Sequence, residues 1–91
     1  MNKTQVMQAI QTSPLYVKDR WNNYRFTSSE VHRIKFLDKV MRIEKQITFD
    51  DGRKEWMRIH SDYFGNMQEV TKDGKKFLQM KGAKVNLKLS D

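Results

Sequence analysis

Seven side chains in the middle of the chain could act together: Arg33, Lys35, Arg42, Lys54, Trp56, Arg58 and His60. Arg33 and Lys35 are spaced by two, as are Lys54, Trp56, Arg58 and His60 in succession. On extended backbone that spacing puts each series on one face of a strand. Cations neutralise phosphates, and arginine adds a planar fork that matches phosphate oxygens two at a time. A tryptophan among them offers an unpaired base a ring to stack on. An open sheet carrying aromatics among cations is a general way of holding single-stranded RNA. The competing reading packs Trp56 beneath a helix and leaves the charges as a solvated face.

Other chemistry finds little support. His60-Ser61-Asp62 contains the three residue types of a hydrolase triad, but sequence neighbours cannot reach that geometry. Asp50 and Asp51 fall at a turn, where aspartate serves local hydrogen bonding. His32 and His60 lack metal-ligand spacing. There is no phosphate-binding loop or dinucleotide fingerprint, so no cofactor is expected. The RNP runs and element order of an RNA-recognition motif are also missing. Lys72, Lys75 and Lys76 read as a solvated turn, with phosphate contact as the alternative. The expectation is a binding protein, not an enzyme.

The elements that must position the basic residues centre on Val40 to His60. Met41, Ile43, Ile47 and Phe49 alternate with other residues, as one buried strand face requires, with Lys45 interrupting. Asp50-Asp51-Gly52 supplies a turn. With Gly52 left-handed and forming a bulge, Phe49 pairs with Arg53, Ile47 with Glu55 and Ile43 with Ile59. Met41, Ile43, Ile47, Phe49, Met57 and Ile59 then share a face, and the register that unites an apolar set is the one favoured. The opposite face carries Val40, Arg42, Glu44, Gln46 and Thr48, with Lys54, Trp56, Arg58 and His60 on the second strand. Glu44 faces Arg58, an ordinary cross-strand ion pair.

Residues 27–39 fit either a helix, with Thr27-Ser28-Ser29-Glu30 as a capping box and Val31, Ile34, Leu37 and Met41 at helical spacing, or a strand over Val31–Leu37. The strand is preferred, because an Asp38-Lys39 turn then pairs Phe36 with Met41 and Ile34 with Ile43, extending the same apolar face. It also opposes Arg33 to Glu44 and Lys35 to Arg42, and sets His32, expected to be structural, beside Lys45. Residues 2–12 read as a short amphipathic helix capped by Asn2 with Gln5 three residues on, carrying Val6, Met7 and Ile10 on one side and stopped by Ser13-Pro14. Leu15 to Thr27 suggests a hairpin about Asn22-Asn23, with Trp21 opposite Tyr24 and Asp19 opposite Phe26. That puts Val17, Trp21, Tyr24 and Phe26 on one face and Lys18, Arg20 and Arg25 on the other, with Arg20 directly opposite Arg25. Ser61 to Asn66 reads as a connection with a Gly65-Asn66 turn. Met67 to Met80 reads as a hairpin about Asp73-Gly74, of open register. Val85, Leu87 and Leu89 mark a lysine-protected edge strand or a fraying tail. The class expected is α+β, mainly antiparallel sheet with a short N-terminal helix, in one small domain over 1–91.

The net charge is +7 in 91 residues, so the surface must be cationic and polyanions are its default partners. The absence of cysteine rules out disulfides and thiolate metal sites and suits a cytosolic location. No apolar run is long enough to span a membrane, and Lys3 is not followed by a signal-peptide core. In general style the opening MNKTQVMQAIQTSPLY resembles the small basic accessory proteins of T-even-like bacteriophages. That resemblance implies a protein of the host cytoplasm that binds nucleic acid or disarms a host enzyme. One kind blocks a host ribonuclease toxin while bound to RNA. It assigns no residue roles. The function expected is non-enzymatic binding of nucleic acid, RNA or single strands before duplex DNA. The alternative is an inhibitor whose cationic face covers an acidic site on a host protein, and a third possibility is a structural or assembly role.

Overall fold

The computed structural model describes residues 1–91. Helix α1 (Lys3–Thr12) precedes five antiparallel strands: β1 (Tyr16–Lys18), β2 (Tyr24–Phe26), β3 (His32–Phe36), β4 (Val40–Thr48) and β5 (Lys54–Tyr63). They lie side by side in chain order. A 3-10 turn over Phe64–Asn66 leads to a second antiparallel sheet of β6 (Met67–Lys72), β7 (Lys75–Met80) and β8 (Val85–Lys88). This is the α+β, mainly antiparallel class that the sequence implies.

Helix α1 forms because its ends are satisfied and one side is apolar. The Asn2 side chain accepts from the Gln5 N–H, and the Gln5 side chain accepts from the Asn2 N–H, both at 2.9 Å. This is a complete capping box. Val6 and Ile10, one turn apart, are fully buried. The core they enter joins Tyr16, Tyr24, Ile34, Met41 and Ile43 of the first sheet to Met67, Leu78, Met80 and Leu87 of the second. Ser13 ends the helix and donates its hydroxyl to the Leu89 carbonyl at 2.6 Å. The Tyr16 hydroxyl donates to the Lys88 carbonyl, and burial raises its pKa.

Residues at positive φ set the β4–β5 and β6–β7 turns, and backbone pairing closes the β3–β4 turn. Phe49 donates to the Arg53 carbonyl at 2.8 Å and Gly52 has φ +85°, so the β4–β5 loop is Asp50-Asp51-Gly52 as expected. Leu37 donates to the Val40 carbonyl at 2.9 Å, closing the Asp38-Lys39 turn with the expected pairs Phe36 with Met41 and Ile34 with Ile43. Asp73 and Gly74, at φ +52° and +76°, make the primed turn that joins β6 to β7.

The β1–β2 hairpin corrects the expectation. Asp19 donates to the Asn23 carbonyl at 2.8 Å and Asn22 has φ +64°, so the loop is Arg20-Trp21-Asn22. Tyr16 pairs with Phe26 and Lys18 with Tyr24. Tyr16, Tyr24 and Phe26 face the core, while Val17 joins Arg25 on the other face and Trp21 sits outside at the tip. The cause is Asp19, whose Oδ1 accepts the N–H groups of Trp21 (2.8 Å) and Asn23 (3.0 Å) and locks the wider loop.

The β4–β5 pair holds its expected register only from the turn to Glu44 opposite Arg58. A bulge at Ile59 then puts Ile43 opposite His60, not Ile59. The phase of β5 inverts there. Asp62 turns to the core side, opposite Met41, and Tyr63 turns to the other face. The strand also runs on through Ser61–Tyr63, where a connection was expected. Asp62 explains both outcomes, because it ties the two sheets together. Its Oδ1 accepts from the Tyr63 N–H and Asn66 Nδ2, both at 2.9 Å, and its Oδ2 accepts from the Gly82 N–H at 2.8 Å. A Cβ at Gly82 would lie 2.5 Å from that carboxylate. Burial alone would raise the Asp62 pKa, but hydrogen bonds from Asn66, Gly82, Tyr63 and Ala83 outweigh it and hold the pKa below 3.8.

The expected apolar face is divided. Met41 and Ile43 are in the core, but Met57 and Ile59 are 51% and 43% exposed. Ile47 and Phe49 are half-buried. The turn end of the β4–β5 hairpin runs beyond the core as an arm, in a molecule 43 Å long and about 26 Å across.

Candidate nucleic-acid interface

The face of the first sheet turned away from the core is cationic. Register carries one row across four strands, Arg25, Arg33, Glu44 and Arg58. Lys35, Arg42 and Ser61 form the row on one side, and Gln46 with Trp56, then Thr48 with Lys54, lie on the other. Arg33, Lys35, Arg42, Lys54, Trp56 and Arg58 therefore share this face. His60 does not, because the Ile59 bulge puts it opposite Ile43 on the core side. Arg25 belongs to the face although the sequence did not suggest it. It was recognisable as polar-facing, but its position beside Arg33 follows only from the strand order.

Arg25 lies directly opposite Arg33, a repulsive arrangement that the surroundings offset. Glu44 is 3% exposed and pairs with Arg33 Nε at 2.8 Å and with Arg42 at 3.1 Å. The expected pair with Arg58 does not form. Arg33 stands opposite Glu44, Arg42 lies two residues before it on the same face, and the bulge begins just beyond Arg58. Arg25 donates to the Glu30 carbonyl at 3.2 Å and has Asp19 at 4.0 Å. Lys35, Lys54 and Arg58 have no carboxylate partner within 4.0 Å. The Arg42 Nε is buried without a hydrogen-bond partner.

Trp56 is half-buried, not the exposed ring expected. The guanidinium of Arg33 lies 4.2 Å from its ring centroid and that of Arg25 lies 4.8 Å away. The indole is a shelf for two arginines, not a bare platform for a base. Beside it is an open depression lined by Arg25, Ser29, Glu30, Val31, Gln46, Thr48 and Lys54. His32, opposite Lys45, is half-buried with its Nδ1 2.6 Å from Ser29 Oγ. The aromatics that are exposed are Trp21 at 62% and Tyr63 at 61%. No helix is long and apolar enough to cross a membrane.

The wide groove between α1 and β6 differs in character. It is lined largely by neutral residues, including Gln5, Gln8, Gln11 and Asn66, with Lys81, Glu69 and the Met1 ammonium as its charges. Its positive charge is small beside that of the basic sheet face. No family model, curated protein or solved structure matches this chain.

Proposed function

We propose that this protein binds nucleic acid, RNA or single strands before duplex DNA, through the basic face of its five-stranded sheet, without catalysing a reaction. One observation carries the reading. Arg25, Arg33, Lys35, Arg42, Lys54 and Arg58 share a face whose inward carboxylates are Asp19 and Glu44. Lys35, Lys54 and Arg58 are the cations left for phosphates. Arg25 and Arg33 are held over the Trp56 ring, so less of their side-chain entropy is lost when they meet a ligand, while Glu44 neutralises part of the charge of Arg33 and Arg42. An open sheet also lets an extended strand lie along it.

A second reading, an inhibitor that covers an acidic site on another protein, draws on a separate feature. Met57 and Ile59 expose apolar surface on edge strand β5, which phosphate contacts do not require. Titration of labelled single-stranded RNA at several salt concentrations separates the two. Counterion release lowers log affinity by about 0.7 per decade of salt for each phosphate contact, or roughly 4 for six contacts. A slope of that order supports nucleic-acid binding. Absence of binding at low salt, with a tight complex with an acidic protein, transfers the function to the inhibitor.

A further inference from the structure

We infer that Trp21 and Tyr63 are stacking platforms for unpaired bases at one end of the basic face, so that the ligand is a single strand laid across the sheet. The inference rests on the proposal that this face binds phosphates, and adds to it how the bases are held.

Antiparallel topology sets both rings at the same end. The β1–β2 loop, Arg20-Trp21-Asn22, and the β3–β4 turn, Asp38-Lys39, leave the sheet together, opposite the Asp50-Asp51-Gly52 turn. Tyr63 pairs with Val40, next to the β3–β4 turn. The Ile59 bulge determines which side chains of β5 face outward. Without the phase change, His60 and Asp62 would follow Arg58 on the basic face. With it, Ser61 and Tyr63 take those places, which removes a carboxylate from the face and supplies an aromatic ring.

Neither ring is needed by the core. Trp21 and Tyr63 are 62% and 61% exposed and lie outside the buried cluster. The Arg20 guanidinium lies 4.3 Å from the Trp21 ring centroid, so a cation accompanies that ring. No aromatic or cationic group stacks on Tyr63. Between the rings lies the opposed pair Lys35 and Arg42. From the β1–β2 tip to β5 is three to four strand spacings, about 15–19 Å. That is a span of a few nucleotides, with phosphates on the central cations and a base at each ring. A duplex keeps its bases paired and stacked, so only its phosphates could use the site.

The test uses the whole chain with a labelled oligouridine strand and a labelled blunt-ended RNA duplex of two fully complementary strands. Trp21→Ala and Tyr63→Ala should each weaken oligouridine binding by about fivefold or more, the effect of losing one base–aromatic stack. Duplex affinity and the salt slope should stay near their wild-type values, and Tyr63→Phe, which keeps the ring, should bind oligouridine like wild type. In a Trp56→Phe background, where Trp21 is the only tryptophan, oligouridine should quench the fluorescence. If wild type binds oligouridine with a steep salt slope while both alanine variants bind it equally well, the stacking inference is overturned and the basic-face proposal stands. If wild type binds neither RNA at low salt, both are overturned.

Discussion

Replacing Glu44 by Gln should make the protein less stable and, when folded, a tighter binder of RNA. Glu44 accepts from Arg33 at 2.8 Å and Arg42 at 3.1 Å in a nearly closed site. Glutamine keeps the shape and one acceptor, but turns an N–H₂ group toward the other guanidinium and removes the neutralising charge. Breaking a buried pair costs about 3–5 kcal/mol when the remaining charge is fully trapped. Here the Arg33 and Arg42 side chains are 14% and 31% exposed and can recover some hydration, so about 2–4 kcal/mol is expected. For a domain of this size that lowers the melting temperature by roughly 10–25 °C. The freed arginines meanwhile add positive charge where phosphates would bind. Thermal melts and RNA titrations on the same sample measure both effects. Added inorganic phosphate should raise the variant's melting temperature more than that of wild type, because an anion can take the place of the carboxylate. A Glu44→Gln protein that melts like wild type would refute the energetic role given to this residue. A stable fold with weaker RNA binding would refute the view that Glu44 competes with phosphate.

Trp56→Ala removes a half-buried ring bearing two guanidiniums, so it should cost about 1–2 kcal/mol of stability, well short of the loss of a core tryptophan. It should also weaken RNA binding by freeing Arg25 and Arg33. A loss of 4 kcal/mol or more in thermal melts would make Trp56 a core residue instead. Asp62→Asn should cost about 1–3 kcal/mol at neutral pH, because its amide would meet the Gly82 N–H. The folded Asp62 pKa lies below its ordinary 3.8, so its contribution is present above that value and is lost as pH falls through the folded pKa. The stability gap between wild type and Asp62→Asn should therefore close below about pH 4, whereas parallel denaturation curves across that range would exclude Asp62 as its source.

What the sequence revealed was set by local chemistry. The Asn2–Gln5 pair, Gly52 and Asp73-Gly74 each impose a backbone conformation on their own neighbours, so the helix start and two turns were legible. Pairing along β3 and β4 followed from a single turn. The errors arose where a distant or longer-range partner decides. Asp19 selects the wider β1–β2 loop by accepting two N–H groups, which a turn rule for Asn22-Asn23 does not reveal. The Ile59 bulge depends on the attachment of Asp62 to Gly82, twenty residues further on. Because a phase change alters every later side chain, that one contact removes His60 from the candidate site and adds Tyr63. The exposure of Trp21 and the covering of Trp56 likewise depend on loop width and strand order, which no spacing within one strand encodes.

The two faces of the first sheet are subject to opposite demands, and the charged face bears a cost that the fold alone does not require. Its other face already supplies Tyr16, Tyr24, Ile34, Met41 and Ile43 to the core. A neutral polar outer face would leave that core intact and avoid setting Arg25 against Arg33 and Lys35 against Arg42. Glu44, Asp19 and the Trp56 ring offset part of the repulsion, but Lys35, Lys54 and Arg58 remain without a carboxylate partner. A bound polyanion would offset the rest. Glu44 stabilises the free protein by neutralising Arg33 and Arg42, and so would compete with such a ligand for them, which is why Glu44→Gln should move stability and affinity in opposite directions.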